Sequence, residues 1–440
     1  MIIRFSMFSL LIAVPTALLT VASPAIAQDR EPTAAVIAIP TLATAQNVDT
    51  DAGKTWALAN QIADLIRADL RSTTSFILAD TSQVRIPSFP EVTAPSFAQW
   101  RSVAAKFLLQ GFVNSRSDGR LTIGCYLYDV QSGREVARQG FAVAPNEWRR
   151  AAHRCADTAY VKATGNGPQF DSRIAYVAQS GSADQLVKRL AVMDFDGANH
   201  SYLTEGSAIV VTPKWSPKGD RIAYTSLGGG HLQVRIADVG SQGDRALLPS
   251  VDESFAPAFS PDGDTIAYSS SSAGNVDIFA TDSRGAMSRR LTTSPAIDTA
   301  ASYSPDGKSI AFVSDRSGTP QLYVMNADGT NQHRVSFGPG TYGSPAWSPD
   351  GDRIAFTRTE GASSRIGTMA TNGADERIVS SGPNDEQPGW SPAGSSIVFQ
   401  RQDPGTRRTT IASVPAAGGE MRVVPTPQGA SDPNWSERQE

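Results

Sequence analysis

The chain has 440 residues, with 39 Lys and Arg against 43 Asp and Glu, a formal net charge of −4, 40% hydrophobic residues and two cysteines. This length exceeds one ordinary domain and predicts two or three. The acidic balance, with no basic cluster, excludes a surface built for nucleic acid or anionic lipid. Two cysteines exclude a disulfide scaffold and a cysteine zinc cluster.

Residues 1–27 read as an export signal. Arg4 precedes an apolar run from Phe5 to Val21, and Ala25-Ile26-Ala27 supplies the small-x-small pattern of a cleavage site. Pro15 interrupts the run, which falls short of the roughly 20 residues needed to cross a bilayer. The exported chain is expected to begin at Gln28 and, with no second apolar run of that length, to be soluble and to have no membrane span. Loss of Arg4 makes its net charge one unit more negative.

Residues 28–165 carry mixed helical and strand patterns without internal repeat and predict an α/β domain. Ala35 to Pro40 (AVIAIP) reads as a buried strand. Trp56, Ala59, Ile62, Ala63, Ile66 and Leu70 then share one side of an amphipathic helix. FILAD, KFLLQGFV and the hairpin RLTIGCYLYDV-QSG-REVARQGFAV supply further strands. Asn146 is expected to cap a helix running through Val161. Cys125 falls on the same strand face as Leu121, Ile123 and Leu127, and Cys155 shares a helix stripe with Trp148, Ala152 and Ala159, so both point to the core. A bridge between them and a pair of buried thiols are both consistent with that placement. ATGNGPQ, from Ala163 to Gln169, reads as a linker.

From residue 168 to 440 everything is repeat. The Ile of a recurring I-(A/V)-(Y/F) stands at 174, 222, 266, 310, 354 and 397, at intervals of 48, 44, 44, 44 and 43. That period matches one four-stranded propeller blade. Aromatic-Ser-Pro-Asp-Gly phrases such as WSPDG at 347 end each first strand and turn into the second. Pro presets φ for the turn and Gly accepts the positive φ needed to re-enter the hairpin. Asn-Ala-Asp-Gly and Asp-Phe-Asp-Gly (194–197) form outer hairpin turns. The first I-A-Y strand, at 172, has no aromatic-Ser-Pro before it, and the last aromatic, Trp435, has no second strand after it. These two orphans complete each other if the C-terminal strand closes a six-bladed ring by pairing with the segment at 172, which leaves no open sheet edge. Trp215, Phe259, Tyr303, Trp347, Trp390 and Trp435 are read as space-filling between adjacent blades, and Asp262, Asp306 and Asp350 as turn residues.

A propeller fold does not name a function, so chemistry must come from sites. There is no G-x-S-x-G nucleophile turn and no hydrolase domain to hold one. The four histidines form no ligand set: His153 lies on a helix of the first domain, His200 and His333 follow outer turns, and His231 sits in a glycine loop. No cofactor and no metal are expected. Acid gathers in the loops leading into the innermost strands, at Asp252, Glu253, Asp298, Asp385, Glu386 and Asp432, with Tyr342 among small residues. Two readings stand: ordinary solvated loop charge, or a docking face whose negative potential attracts a basic partner. A divalent ion in the channel is the enzyme-class variant.

The export signal, the α/β domain and the six-fold W-S-P-D-G-x-x-I-A-F array with L-Y-V-M-N-A-D-G together resemble the TolB family, the periplasmic component of the Tol-Pal system. RADLRSTTSFILAD at 67–80, AQWRSVAAKFLLQGFV at 98–113 and NEWRRAAHRCAD at 146–157 sharpen the resemblance. It implies a periplasmic, monomeric, non-enzymatic adaptor. Such an adaptor would bind the lipoprotein Pal through the channel mouth, communicate with TolA, and support cell division and envelope integrity. Carried over by position, the Pal-facing residues are Asp252, Glu253, Ser254, Asp298, Thr299, Tyr342, Asp385, Glu386 and Asp432. The family contacts TolA through an N-terminal tail. Here only Gln28 to about Thr33 precede the first strand, so a TolA contact of the usual kind is not expected unless cleavage falls upstream or another surface substitutes. The competing class is an orphan periplasmic propeller enzyme or glycan binder with a metal in the channel.

Overall fold

A computed structural model describes residues 34–182, 185–241, 243–248 and 253–437. The expected export signal and Asp252 lie outside the described residues.

The first part is a five-stranded mixed sheet. Ala35–Ala38 lies parallel to Phe76–Leu78 on one side and to Phe107–Ser115 on the other, and the hairpin Leu121–Asp129 and Arg134–Val143 completes it. Helices α1 (Thr55–Arg71) and α3 (Trp148–Thr164) cover the sheet, while the short α2 (Ala98–Ser102) leads into the central strand. Ile37, Leu109, Ile123 and Leu127 from the sheet meet Ala59, Ile62, Ala63, Ile66 and Leu70 of α1 and Ala152, Cys155 and Ala159 of α3 in one core. Trp56, expected on that stripe, is 61% exposed. Leu58 and Leu65 are buried and widen the apolar arc on its other flank, which leaves Trp56 at the margin. Asn146 is not the cap of α3. A 3-10 turn, Pro145–Glu147, precedes the helix, and Gly165 ends it in the left-handed conformation at φ 77°.

Cys125 and Cys155 form a disulfide, with Cα atoms 5.9 Å apart, which joins the sheet to α3. Two buried cysteines on facing elements sit within bridging reach.

Six four-stranded sheets follow, each antiparallel, with the strand order running outward from the channel. Blades two to six begin on the inner strands Ile209–Trp215, Ser254–Phe259, Asp298–Tyr303, Thr341–Trp347 and Asp385–Trp390. The inner strand of blade one is the C-terminal Gly429–Trp435. It pairs antiparallel with Arg173–Ser180 and sets Trp435 opposite Ile174 and Gly429 opposite Gln179. The ring therefore closes through the chain's last strand, as the orphan repeats require.

Every inner strand carries a bulge. At each bulge one non-glycine residue takes a positive φ: Thr212, Ala256, Ala300, Ser344, Gln387 and Asp432, between 49° and 59°. Such a backbone costs about 1 kcal/mol or more for an L-residue unless its surroundings hold it. Here a side chain of the preceding blade does so. Thr225 Oγ1 accepts from the Ala256 N–H at 2.9 Å, Ser269 Oγ from Ala300 at 3.3 Å, Thr357 Oγ1 from Gln387 at 3.1 Å and Gln400 Oε1 from Asp432 at 3.0 Å. Each of these four bonds stitches one blade to the next around the axis.

The stretch read as a linker is anchored. Asp157 of α3 accepts the backbone N–H groups of Gln169, Phe170 and Asp171 at 2.7, 2.9 and 3.2 Å, and Phe170 is fully buried against Tyr160. Asp171 pairs with Arg150 at 3.1 Å. Phe195 touches Phe170, His153 and Trp435, and the Trp435 indole N–H donates to Ser172 Oγ at 2.8 Å. Ser395 Oγ donates to Gln169 Oε1 at 2.6 Å, and the Arg422 guanidinium donates to the Arg71 carbonyl at 2.9 Å. All these contacts fall on the ring face that carries the Ser-Pro-x-Gly turns. Among the described residues, the face where the inner strands begin is left to solvent.

Candidate functional site

On the solvent-facing side, the loops entering the inner strands surround the channel mouth. Most of the described residues singled out from the sequence lie there, but several of the carboxylates are paired with arginines inside the protein and are not bare rim charges. Asp298 and Asp385 are fully buried. Asp298 receives two hydrogen bonds from Arg316 Nη2 at 3.0 and 2.9 Å, and Asp385 is held by Arg401 through Nε at 2.6 Å and Nη2 at 2.7 Å. Asp277 is buried in the same manner against Arg290 at 2.6 Å. A desolvated carboxylate needs such a partner; for Asp385 the second strand of the same blade supplies it, and for Asp298 the turn that follows that strand. The arginines are in turn held by rings: Arg316 lies over Phe312 and Tyr323, and Arg401 over Phe399.

Tyr342 is buried. Its hydroxyl donates to both oxygens of Glu376 at 2.9 Å, and Glu376 is paired with Arg358 at 2.8 Å. Burial, then the Glu376 carboxylate, pushes the phenol well above its ordinary range, so it remains a donor. Ser254 is buried and accepts the Val234 N–H at 3.0 Å. Thr299 is half-buried beside the bulge, and Glu386 accepts from Gln400 at 3.1 Å. Asp432 is not a rim residue. It sits at the bulge inside the closing strand, where Oδ1 accepts the Thr212 N–H at 3.2 Å. Of the acidic rim, Glu253 alone among the described residues is exposed.

Apolar side chains complete this face and were missed in the sequence. Phe337 is 69% exposed in the loop that runs from the outer strand of blade four to the inner strand of blade five, with Arg334 stacked on its ring. Ile297 is 49% exposed immediately before Asp298. Phe-Gly-Pro-Gly at 337–340 was the available signal, an aromatic in a turn with no inward-facing strand position to explain it.

At the other end of the channel, a cavity of about 390 Å³ is lined by Trp215, Phe259, Tyr303, Trp347, Trp390 and Trp435. The indole N–H groups are committed to the protein itself. Trp215 donates to the Asn434 carbonyl at 3.1 Å, Trp347 to Gly351 at 3.0 Å and Trp390 to Ala346 at 2.9 Å. Trp215, Trp347 and Trp390 also pack between the hydrophobic clusters of neighbouring blades. These rings therefore fill and brace the hub. Lys214 and Glu437 reach the same cavity, where burial lowers the amine's pKa against the pull of Asp432 and raises that of the carboxyl.

Comparison with known proteins fits this architecture. A family profile described as the TolB amino-terminal domain matches residues 30–136, and one described as the TolB beta propeller domain matches residues 160–439. The Tol-Pal system protein TolB of Zymomonas mobilis is 47% identical over 205 residues, 47% of this chain and 45% of that one. Its counterpart in Rhizorhabdus wittichii is 47% identical over 190 residues, 43% of each. In both cases the match spans less than half of the relative's length. The crystal structure of TolB from Acinetobacter baumannii superimposes with a TM-score of 0.77 at 25% identity, covering 92% of this chain and 97% of that one. No helix among the described residues is long and apolar enough to cross a membrane. With both profiles matched in chain order and the ring closed on its own last strand, the chain belongs to the TolB family.

Proposed function

We propose that this protein is a periplasmic, non-enzymatic adaptor of the Tol-Pal system that docks the lipoprotein Pal on the open face of its ring and supports outer-membrane invagination at division. The observation that carries this reading is the construction of that face. Exposed apolar groups, Phe337 and Ile297, stand around a mouth whose polar groups are locked in arginine–carboxylate pairs. A pre-organised polar frame with apolar anchors is what a protein partner binds with little ordering cost. Charge plays the smaller part: Glu253 and Glu386 remain to steer a basic partner, whereas Asp298 and Asp385 are committed internally. The first domain, fixed to the opposite face, leaves this one free. TolA contact through an N-terminal tail falls outside the described residues and is not part of the proposal. Calorimetric titration of the purified chain with the soluble domain of Pal tests the reading. Saturable one-to-one binding is expected, and the absence of binding at moderate salt overturns it.

A further inference from the structure

The seam between α3 and the first blade holds an arrangement that the docking function does not use. His153, near the middle of α3, is 2% exposed. Its Nδ1 lies 2.8 Å from Asp69 Oδ2 of α1, and Asp69 is buried to 1%. That bond places the proton on Nδ1 and turns Nε2 away from α1. Nε2 is buried and has no hydrogen-bond partner among the described residues. The outer turn of blade one, Asp194-Phe195-Asp196-Gly197, brings up two carboxylates, and the donor atoms of His153, Asp194 and Asp196 all lie within 4.8 Å of one another. The turn's own hydrogen bonds aim these carboxylates: Asp196 Oδ1 accepts the Ala198 N–H at 3.1 Å, and Asp194 Oδ2 accepts from Asn199 at 2.7 Å. A cavity of about 270 Å³, lined by His153, Asp194, Arg149 and Arg150, opens onto the group and provides a path and room for water.

We propose that His153, Asp194 and Asp196 form a binding site for a divalent transition-metal cation of the zinc class, which staples α3 to the first blade. One imidazole with two carboxylates is a donor set such cations take, with water completing the shell. At metal–ligand distances of about 2.1 Å, tetrahedral donors sit about 3.4 Å apart, so donors within 4.8 Å need draw in by at most about 1.4 Å. Asp69 behind the imidazole is the carboxylate–histidine–metal relay that fixes ring orientation and strengthens the ligand. Asp194 and Asp196 face Arg149, which lies 3.8 Å from Asp194 and is hydrogen-bonded to Asp196, and Asp194 also feels the charges of Arg150 and Arg173. Arg149 and the metal compete for the same oxygens.

Zinc chloride is titrated into the chelator-stripped full chain, and bound metal is counted by elemental analysis after dialysis. One equivalent is expected, together with a rise in melting temperature. Asp196→Asn retains the turn's hydrogen bond and is expected to keep the fold while weakening zinc at least about 100-fold. Asp69→Asn is expected to weaken it about 10–100-fold, and Arg149→Met to tighten it several-fold by removing the competing cation. His231→Gln, in a distant loop, should change nothing. Failure of the wild-type chain to retain stoichiometric zinc overturns the proposal. So does binding that survives Asp196→Asn unchanged, or that falls with His231→Gln.

Discussion

Deleting residues 429–440 removes the strand that closes the ring, and the size of the effect follows from the bonds that strand makes. Among the described residues, seven hydrogen bonds that involve a side chain join it to the rest of the protein. Their partners are Arg173, Gln179, Gln400, Ser172, Thr212 and, twice, Trp215. At about 1 kcal/mol each they contribute several kcal/mol, and a buried donor deprived of its acceptor costs more. The ladder to Arg173–Ser180 goes as well. Ile174, Tyr176 and Met193, all fully buried in a cluster that includes Ala430 and Trp435, would then meet water on one side. Together these effects are on the order of 10 kcal/mol, comparable to the whole stability of an ordinary domain. The truncated chain is expected to elute as aggregate and to show no cooperative melt by circular dichroism. A monomeric truncate with the parent melting temperature would refute closure by the last strand as a requirement for folding. Asn434→Ala is the graded version: it strips the Trp215 N–H of an acceptor at 2.8 Å and should cost about 1–3 kcal/mol in urea unfolding.

Asp385→Ala leaves Arg401 without its carboxylate and should destabilise by about 3–5 kcal/mol, whereas Glu253→Lys on the exposed rim should stay within about 0.5 kcal/mol; denaturant melts separate the two. Asp157→Ala orphans three buried N–H groups between 169 and 171 and should cost about 3 kcal/mol or more, with new protease cleavage near Ala163 to Gln169 as the local readout. Reducing the Cys125–Cys155 bridge, which spans 30 residues, should cost about 3–4 kcal/mol by the loop-entropy relation, measured as a shift in the denaturation midpoint with reductant.

The ring was legible in the sequence because the same local problem is solved six times. A period of 43 to 48 residues and two unmatched half-repeats leave one way to close the sheets. The chemistry of the mouth was less legible, because burial is a property of three dimensions. Asp298 and Asp385 look like solvated loop acids until their arginines are placed beside them, Arg316 by the turn after the neighbouring strand and Arg401 by the neighbouring strand itself. Asp432 looks like its counterparts in the other loops, yet the bulge turns it inward to bind the Thr212 N–H. His153 passed as an isolated helical histidine because Asp194 and Asp196 belong to a turn in another domain, and only the seam brings the three together.

Central to the proposed function is the open face as a docking surface with apolar anchors. The direct measurement is calorimetric titration of the Ile297→Ser/Phe337→Ser double variant with the soluble domain of Pal, alongside the parent chain. Phe337 is largely and Ile297 about half exposed, so the melting temperature should change little. Truncating anchors of this kind costs about 1–2 kcal/mol or more each. A loss of affinity of at least about 30-fold is the predicted result. An unchanged dissociation constant in a folded variant would contradict it.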